Sequence, residues 1–145
     1  YYRPELIGSA PFTTDIAEFL ADAGRDVTVV TGLPHYPMAE VFPDYRDGAR
    51  LREEFNGVKV ERVQSGTPRR PSASSRVLNE IGFLLRGLTS LASGRFARHR
   101  VVLALCPSVL GVALGVVARR PGGICVAIVH DIQSGLAAGL GMVKG

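Results

Sequence analysis

The chain has 145 residues, 46% hydrophobic and 21% charged, with a formal charge of +4; this is enough for one globular domain with a real core. No apolar run approaches the roughly 20 residues that a membrane-spanning helix needs. The two cysteines, Cys106 and Cys125, lie in apolar strand-like runs without metal-ligand spacing, so they read as buried reduced thiols.

The charge is unevenly spread. Residues 1–68 hold seven basic and eleven acidic groups, whereas residues 69–100 hold seven arginines against Glu80 alone. Arginine suits phosphate through its planar fork of donors, although a general bias toward arginine explains such richness equally well.

Tyr1 to Pro11 reads as a loop leading into a helix. Thr13, Ile16, Ala17, Phe19, Leu20 and Ala23 form an apolar stripe at helical spacing, and Gly24 is a stop signal. Val27 to Val30 is a short β-branched strand ending at Gly32. Helix, stop and strand make half of a βαβ unit, so a first strand is expected ahead of Tyr1 and the chain reads as truncated there.

Leu33 to Asn56 contains three prolines and no sustained period, which predicts a long irregular loop, ordered by Tyr36, Phe42, Tyr45 and Phe55. Asn56-Gly57 is a turn signal, and Val58 to Val63 alternates apolar and charged residues as a strand near the sheet edge does. After the break at Pro68-Arg69-Arg70-Pro71, Ser74 or Ser75 is placed to cap a helix carrying Val77, Leu78, Ile81, Leu84, Leu85, Leu88 and Leu91. Val101 to Leu105 is a further buried-type strand. Ser108 caps a small apolar helix running to Val117, and Ile124 to Val129 is a strand of the kind buried on both faces. This alternation predicts an α/β fold, a Rossmann-like doubly wound parallel sheet.

In such sheets the ligand crevice lies outside the carboxyl ends of the strands. His130, at the end of the Ile124–Val129 strand, is the leading site candidate, since its charge can change near neutral pH and it hydrogen-bonds hydroxyls well. The adjacent Asp131 reads as a helix cap or backbone anchor. Gly8-Ser9 opens the first helix and either offers backbone N–H groups to a phosphate or is a plain entry turn. His35, Tyr36 and Pro37 follow the second strand, as a binding loop or as a proline-stiffened connection. Arg69, Arg70, Arg76 and Arg86 beside the leucines of the long helix suit an anionic membrane surface, or form only a solvated face. Nucleic acid is disfavoured because residues 69–95 carry few aromatic residues for stacking. No paired catalytic carboxylates, nucleophile elbow or metal cluster appears.

The stretch YYRPELIGSAPFTTDIAEFLADAGRDVTVVTGLPHYP, the later GVKVERV with PRRPS, and VHDIQSGLAAGLGMV resemble family 4 glycosyltransferases. The likeness is to the colanic acid type used in exopolysaccharide and capsule assembly. The resemblance covers essentially the whole chain. It implies the N-terminal, acceptor-side Rossmann-like domain of a GT-B enzyme, residues 1–145, cut at both ends and lacking the C-terminal donor-binding domain. It further implies retaining hexosyl transfer, without metal or other cofactor, from a nucleotide diphosphate sugar to a polyprenyl-diphosphate-linked saccharide. The enzyme would be peripheral at the cytoplasmic face of the plasma membrane. On this basis Gly8 and Ser9 match the loop near the donor diphosphate, His130 matches a residue facing the transferred sugar, and His35, Tyr36 and Pro37 match an acceptor loop. The chain alone is then expected to be inactive. The rival expectation is a non-catalytic Rossmann-like module that binds an anionic lipid or polymer through residues 69–100.

Overall fold

The computed structural model describes residues 1–6, 8–38, 40–48, 50–64, 73–106 and 108–129, with the side chains of Ala73 and Arg76 excepted. His130, Asp131, Arg69 and Arg70 lie outside the described residues. The chain adopts the expected α/β class with parallel strand pairs, and it divides into two compact units, Tyr1–Ala97 and Arg98–Gly145.

In the first unit, helix α1 spans Ala10–Asp22 and strand β1 spans Val27–Gly32. Gly24, at φ +75°, ends the helix: its N–H donates to Ala21 O (2.8 Å) and that of Arg25 to Leu20 O (3.0 Å), the paired bonds of a Schellman motif. Strands β2 (Arg52–Phe55) and β3 (Val58–Val63) form a hairpin through Asn56-Gly57, whose φ values of 47° and 75° are those of a tight primed turn. The sheet order is β1-β3-β2. β1 and β3 are parallel, Val27 opposite Val58 through Gly32 opposite Val63, and β2 is antiparallel to β3.

Period-2 alternation sorts β3 into two faces. Val58 and Val60 meet Tyr2 and Ala17 in the core, with Ala21, Val27, Val29 and Phe55 around them. Small alanines of α1, not its aromatics, approach the sheet; Phe19, expected in the buried stripe, is 71% exposed. Two further expectations are corrected here. β3 is the central strand, not an edge, and Leu33 to Asn56 is not wholly irregular, since it contains a 3-10 turn at Pro43–Tyr45 and strand β2. Charged residues hid both, because Glu61 and Arg62 are buried in ion pairs rather than turned to water.

Helix α2 spans Ala73–Ala92, so Ser74 and Ser75 lie within its first turn and are not its cap. It ends in a second Schellman motif, with Gly94 N–H on Leu91 O (3.1 Å) and Arg95 N–H on Ser90 O (2.9 Å).

The second unit is a β–α–β segment: β4 (His99–Cys106), α3 (Val109–Ala118) and β5 (Arg119–Val129). The strands pair in parallel from Val101 opposite Ile124 to Cys106 opposite Val129. The Ser108 hydroxyl caps α3 as expected, accepting from Gly111 N–H at 2.9 Å. β5 starts at Arg119, five residues earlier than its apolar core suggested. α3 approaches one sheet face through Gly115, where an added Cβ would lie 3.2 Å from Cys125 Sγ and 3.3 Å from both Ala104 and Val102. Among the described residues of this unit none covers the opposite face: Val101, Leu103, Ile124 and Val126 are exposed, although the sequence reads as a strand buried on both sides.

Candidate functional site

The candidate site is at the carboxyl end of β1, the position favoured for ligands in parallel α/β sheets. There Gly32 gives way to Leu33-Pro34-His35-Tyr36-Pro37. This loop is organised by a residue that sequence reasoning passed over. Glu5 has a side chain only 3% exposed, and its Oε1 accepts the backbone N–H of His35 (3.0 Å) and of Tyr36 (2.9 Å). Two N–H donors on one buried carboxylate are charge-assisted hydrogen bonds, stronger than neutral ones. They pin the turn that carries both side chains. Phe42 N–H donates to Pro34 O at 2.9 Å and closes the loop behind it.

The His35 ring is oriented by the same frame. Its Nδ1 is 2.9 Å from Leu33 O, which can only accept, so Nδ1 carries the proton. In the neutral ring Nε2 is then the acceptor. Nδ1 also lies 4.0 Å from Glu5 Oε1. The Tyr1 ring stands 5.8 Å from that of His35 and 5.9 Å from that of Tyr36, whose side is 40% exposed. The product is a small aromatic patch with an acceptor nitrogen.

Gly8 and Ser9 stand at the entry to α1. Gly8 has φ +69° and nothing within 4 Å of an added Cβ, so its backbone borders open space. Ser9 is the N-cap residue, but its side chain makes no capping bond; its carbonyl instead accepts from Thr13 N–H (3.0 Å) and Thr13 Oγ1 (2.8 Å). Glu5 thus ties the segment leading to Gly8-Ser9 to the segment holding His35, Tyr36 and Pro37. Arg86 is exposed on α2, and the Arg76 backbone belongs to the same helix.

Beneath this loop lies a second missed feature. Arg62, with a fully buried side chain, donates through Nε to Glu53 (2.8 Å) and through Nη2 to Arg3 O (2.6 Å), and its Nη1 lies 3.5 Å from Gly32 O. Its guanidinium also sits 4.7 Å from the centre of the Tyr45 ring. Burial pushes the Tyr45 hydroxyl above its ordinary range, against the opposing pull of Arg62. Arg62 therefore joins β3, β2, the end of β1 and the N-terminal segment. An acidic residue in the short segment before the first helix, and an arginine at the same period-2 positions as Val58 and Val60, were the available signals.

Among the described residues no three His, Cys, Asp or Glu side chains gather as a metal site would require, and no helix is long and apolar enough to cross a membrane.

Over 142 residues, 97% of its length, the chain is 28% identical to the Escherichia coli protein named "Putative colanic acid biosynthesis glycosyl transferase WcaI". It spans 35% of the length of that relative. No protein-family model and no solved structure matches the chain.

Proposed function

We propose that the chain is the acceptor-side, N-terminal part of a retaining GT-B glycosyltransferase of exopolysaccharide assembly. It would serve transfer of a sugar from a nucleotide diphosphate sugar to a polyprenyl-diphosphate-linked saccharide. The observation that carries this reading is the 28% identity sustained over nearly the whole chain, together with a Glu5-fixed loop at the carboxyl end of a parallel strand.

Each group has a role suited to its chemistry. Tyr36 and Tyr1 offer ring faces and edges to the C–H surface of an acceptor sugar. His35 Nε2 accepts from an acceptor hydroxyl and can take its proton as the new glycosidic bond forms. Backbone N–H groups at Gly8-Ser9 and the start of α1 face the leaving diphosphate, where the helix dipole favours negative charge. His130 orients the transferred sugar. No metal or other cofactor is invoked, so stabilisation of the diphosphate rests on protein donors.

The membrane surface enters through α2. Val77, Leu78, Ile81 and Leu85 form an exposed apolar stripe at helical spacing, with Arg86 beside them and Arg69, Arg70 and Arg76 preceding or opening the helix. Such a face suits anionic headgroups at the cytoplasmic side.

The deciding experiment gives the full-length protein radiolabelled nucleotide sugars and a polyprenyl-diphosphate saccharide. Transfer is expected, with His35→Ala and His130→Ala each slowing it about 100-fold, the scale of a lost acid–base or orienting group. Absence of transfer from every UDP- and GDP-sugar tried, with vesicle binding intact, would favour the non-catalytic lipid- or polymer-binding module instead. Near-normal turnover in His130→Ala would remove that residue from the site.

A further inference from the structure

On the α2 side of the first sheet, a shallow concavity of about 550 Å³ is lined by Gly48, Leu51, Arg52, Ser93 and Arg95. We propose that it is a binding site for a phosphate-bearing ligand, held by Arg52 and Arg95.

The site is built from a buried carboxylate outward. The Glu61 side chain is 3% exposed, and it faces two guanidinium groups: Arg52 Nε at 3.1 Å from Oε2 and Arg95 Nε at 2.7 Å from Oε1. The second contact is an ion pair off the N–H axis rather than an aligned hydrogen bond. One carboxylate needs one cation; a second leaves this cluster with a surplus positive charge. Both arginines meet Glu61 through Nε and not through their terminal nitrogens, and both side chains border the concavity at 60% and 35% exposure. That leaves planar donor forks of the kind that match phosphate oxygens.

The arginines are also fixed before any ligand arrives. Arg52 sits directly opposite Glu61 in the β2–β3 register, and Arg95 is set by the Schellman motif that ends α2. That motif engages the Ser90 and Leu91 carbonyls, so these C-terminal acceptors are not left facing an anion. Glu61 is opposite Val30, two residues before β1 ends, so the concavity lies toward the carboxyl end of the parallel pair. Sequence reading placed Arg52 in an irregular loop and Glu61 at an edge, which hid the cluster.

The site does not depend on the transferase reading, and its test measures no sugar transfer. Equilibrium dialysis of radiolabelled inorganic phosphate against the full-length protein should show a saturable component that weakens about tenfold in Arg52→Gln, the effect of losing a hydrogen bond to a charged group. The difference between wild type and variant isolates this concavity from any other phosphate site. Should Arg52→Gln unfold, Arg52→Lys, which keeps a charge beside Glu61 but loses the fork, must show the weakening instead. Sedimentation with phosphatidylglycerol vesicles, against phosphatidylcholine controls, separates the sources. A soluble phosphate ester is the ligand if only dialysis responds to the substitution, and a lipid headgroup if vesicle binding falls as well. Identical phosphate and vesicle binding in wild type and folded variant overturns the proposal.

Discussion

Arg62 gives the sharpest test of how the first unit is held together. Replacing it with methionine keeps most of the volume but leaves Glu53, 11% exposed, without its cation. Breaking a buried ion pair from one side costs about 3–5 kcal/mol. Glu53 keeps one compensating bond, from the Tyr45 hydroxyl at 3.0 Å, which points to the lower end of that range, about 3 kcal/mol. The carbonyls of Arg3 and Gly32 lose a donor as well. Hydrogen exchange read by mass spectrometry on the β1 and β3 segments of the full-length protein reports this locally. Exchange there should accelerate by roughly 100-fold, because each 1.4 kcal/mol is a factor of ten. Adding Glu53→Gln, which retains an acceptor for Tyr45 and removes the orphaned charge, should recover about 1–2 kcal/mol as coupling energy. A change below about fivefold in Arg62→Met would refute the reasoning, since the network would then contribute no more than a surface ion pair.

Other consequences follow from single groups. Among the described residues the buried Tyr2 hydroxyl has no hydrogen-bond partner, so Tyr2→Phe should be neutral or raise stability by about 1 kcal/mol in thermal unfolding. Burial also raises the Tyr2 pKa above 10.0, so its neutral form stabilises the fold below the unfolded value and that contribution is lost as pH rises through the folded one. Stability should therefore fall above about pH 10 less steeply in Tyr2→Phe than in wild type, as denaturant titrations across that range would show. Glu5→Ala strips two backbone N–H groups of their acceptor and should destabilise the His35 loop by about 2 kcal/mol, seen as faster exchange of those two amides. Gly115→Val would press on Cys125, Ala104 and Val102 and should cost about 1–3 kcal/mol, measurable as reduced protection of β4 and β5.

Much of this was legible in the residues themselves. Glycine after an apolar stripe marked the end of α1, Asn56-Gly57 marked the hairpin turn, and Ser108 marked the start of α3, because each depends on backbone geometry that only a few residue types satisfy. Local signals of this kind survive without knowledge of the fold. The site was legible in part: the His35-Tyr36-Pro37 loop follows a strand, but Glu5, which holds it, is 30 residues away in sequence and gives no periodic signal.

What tertiary structure alone decided is the fate of the charged residues. An alternating strand with Lys59, Glu61 and Arg62 reads as half exposed, since burying an unpaired charge is prohibitive. The fold instead supplies each of these buried charges with a partner from another element or segment: Glu53 of the neighbouring strand for Arg62, Arg52 of that strand and Arg95 beyond α2 for Glu61, and two backbone amides 30 or more residues away for Glu5. Pairing across the chain reverses the sign of the sequence expectation. It makes β3 the centre of its sheet, and it sets the polar groups at the carboxyl end of the parallel pair, where sequence patterning had only apolar strands and a loop to offer.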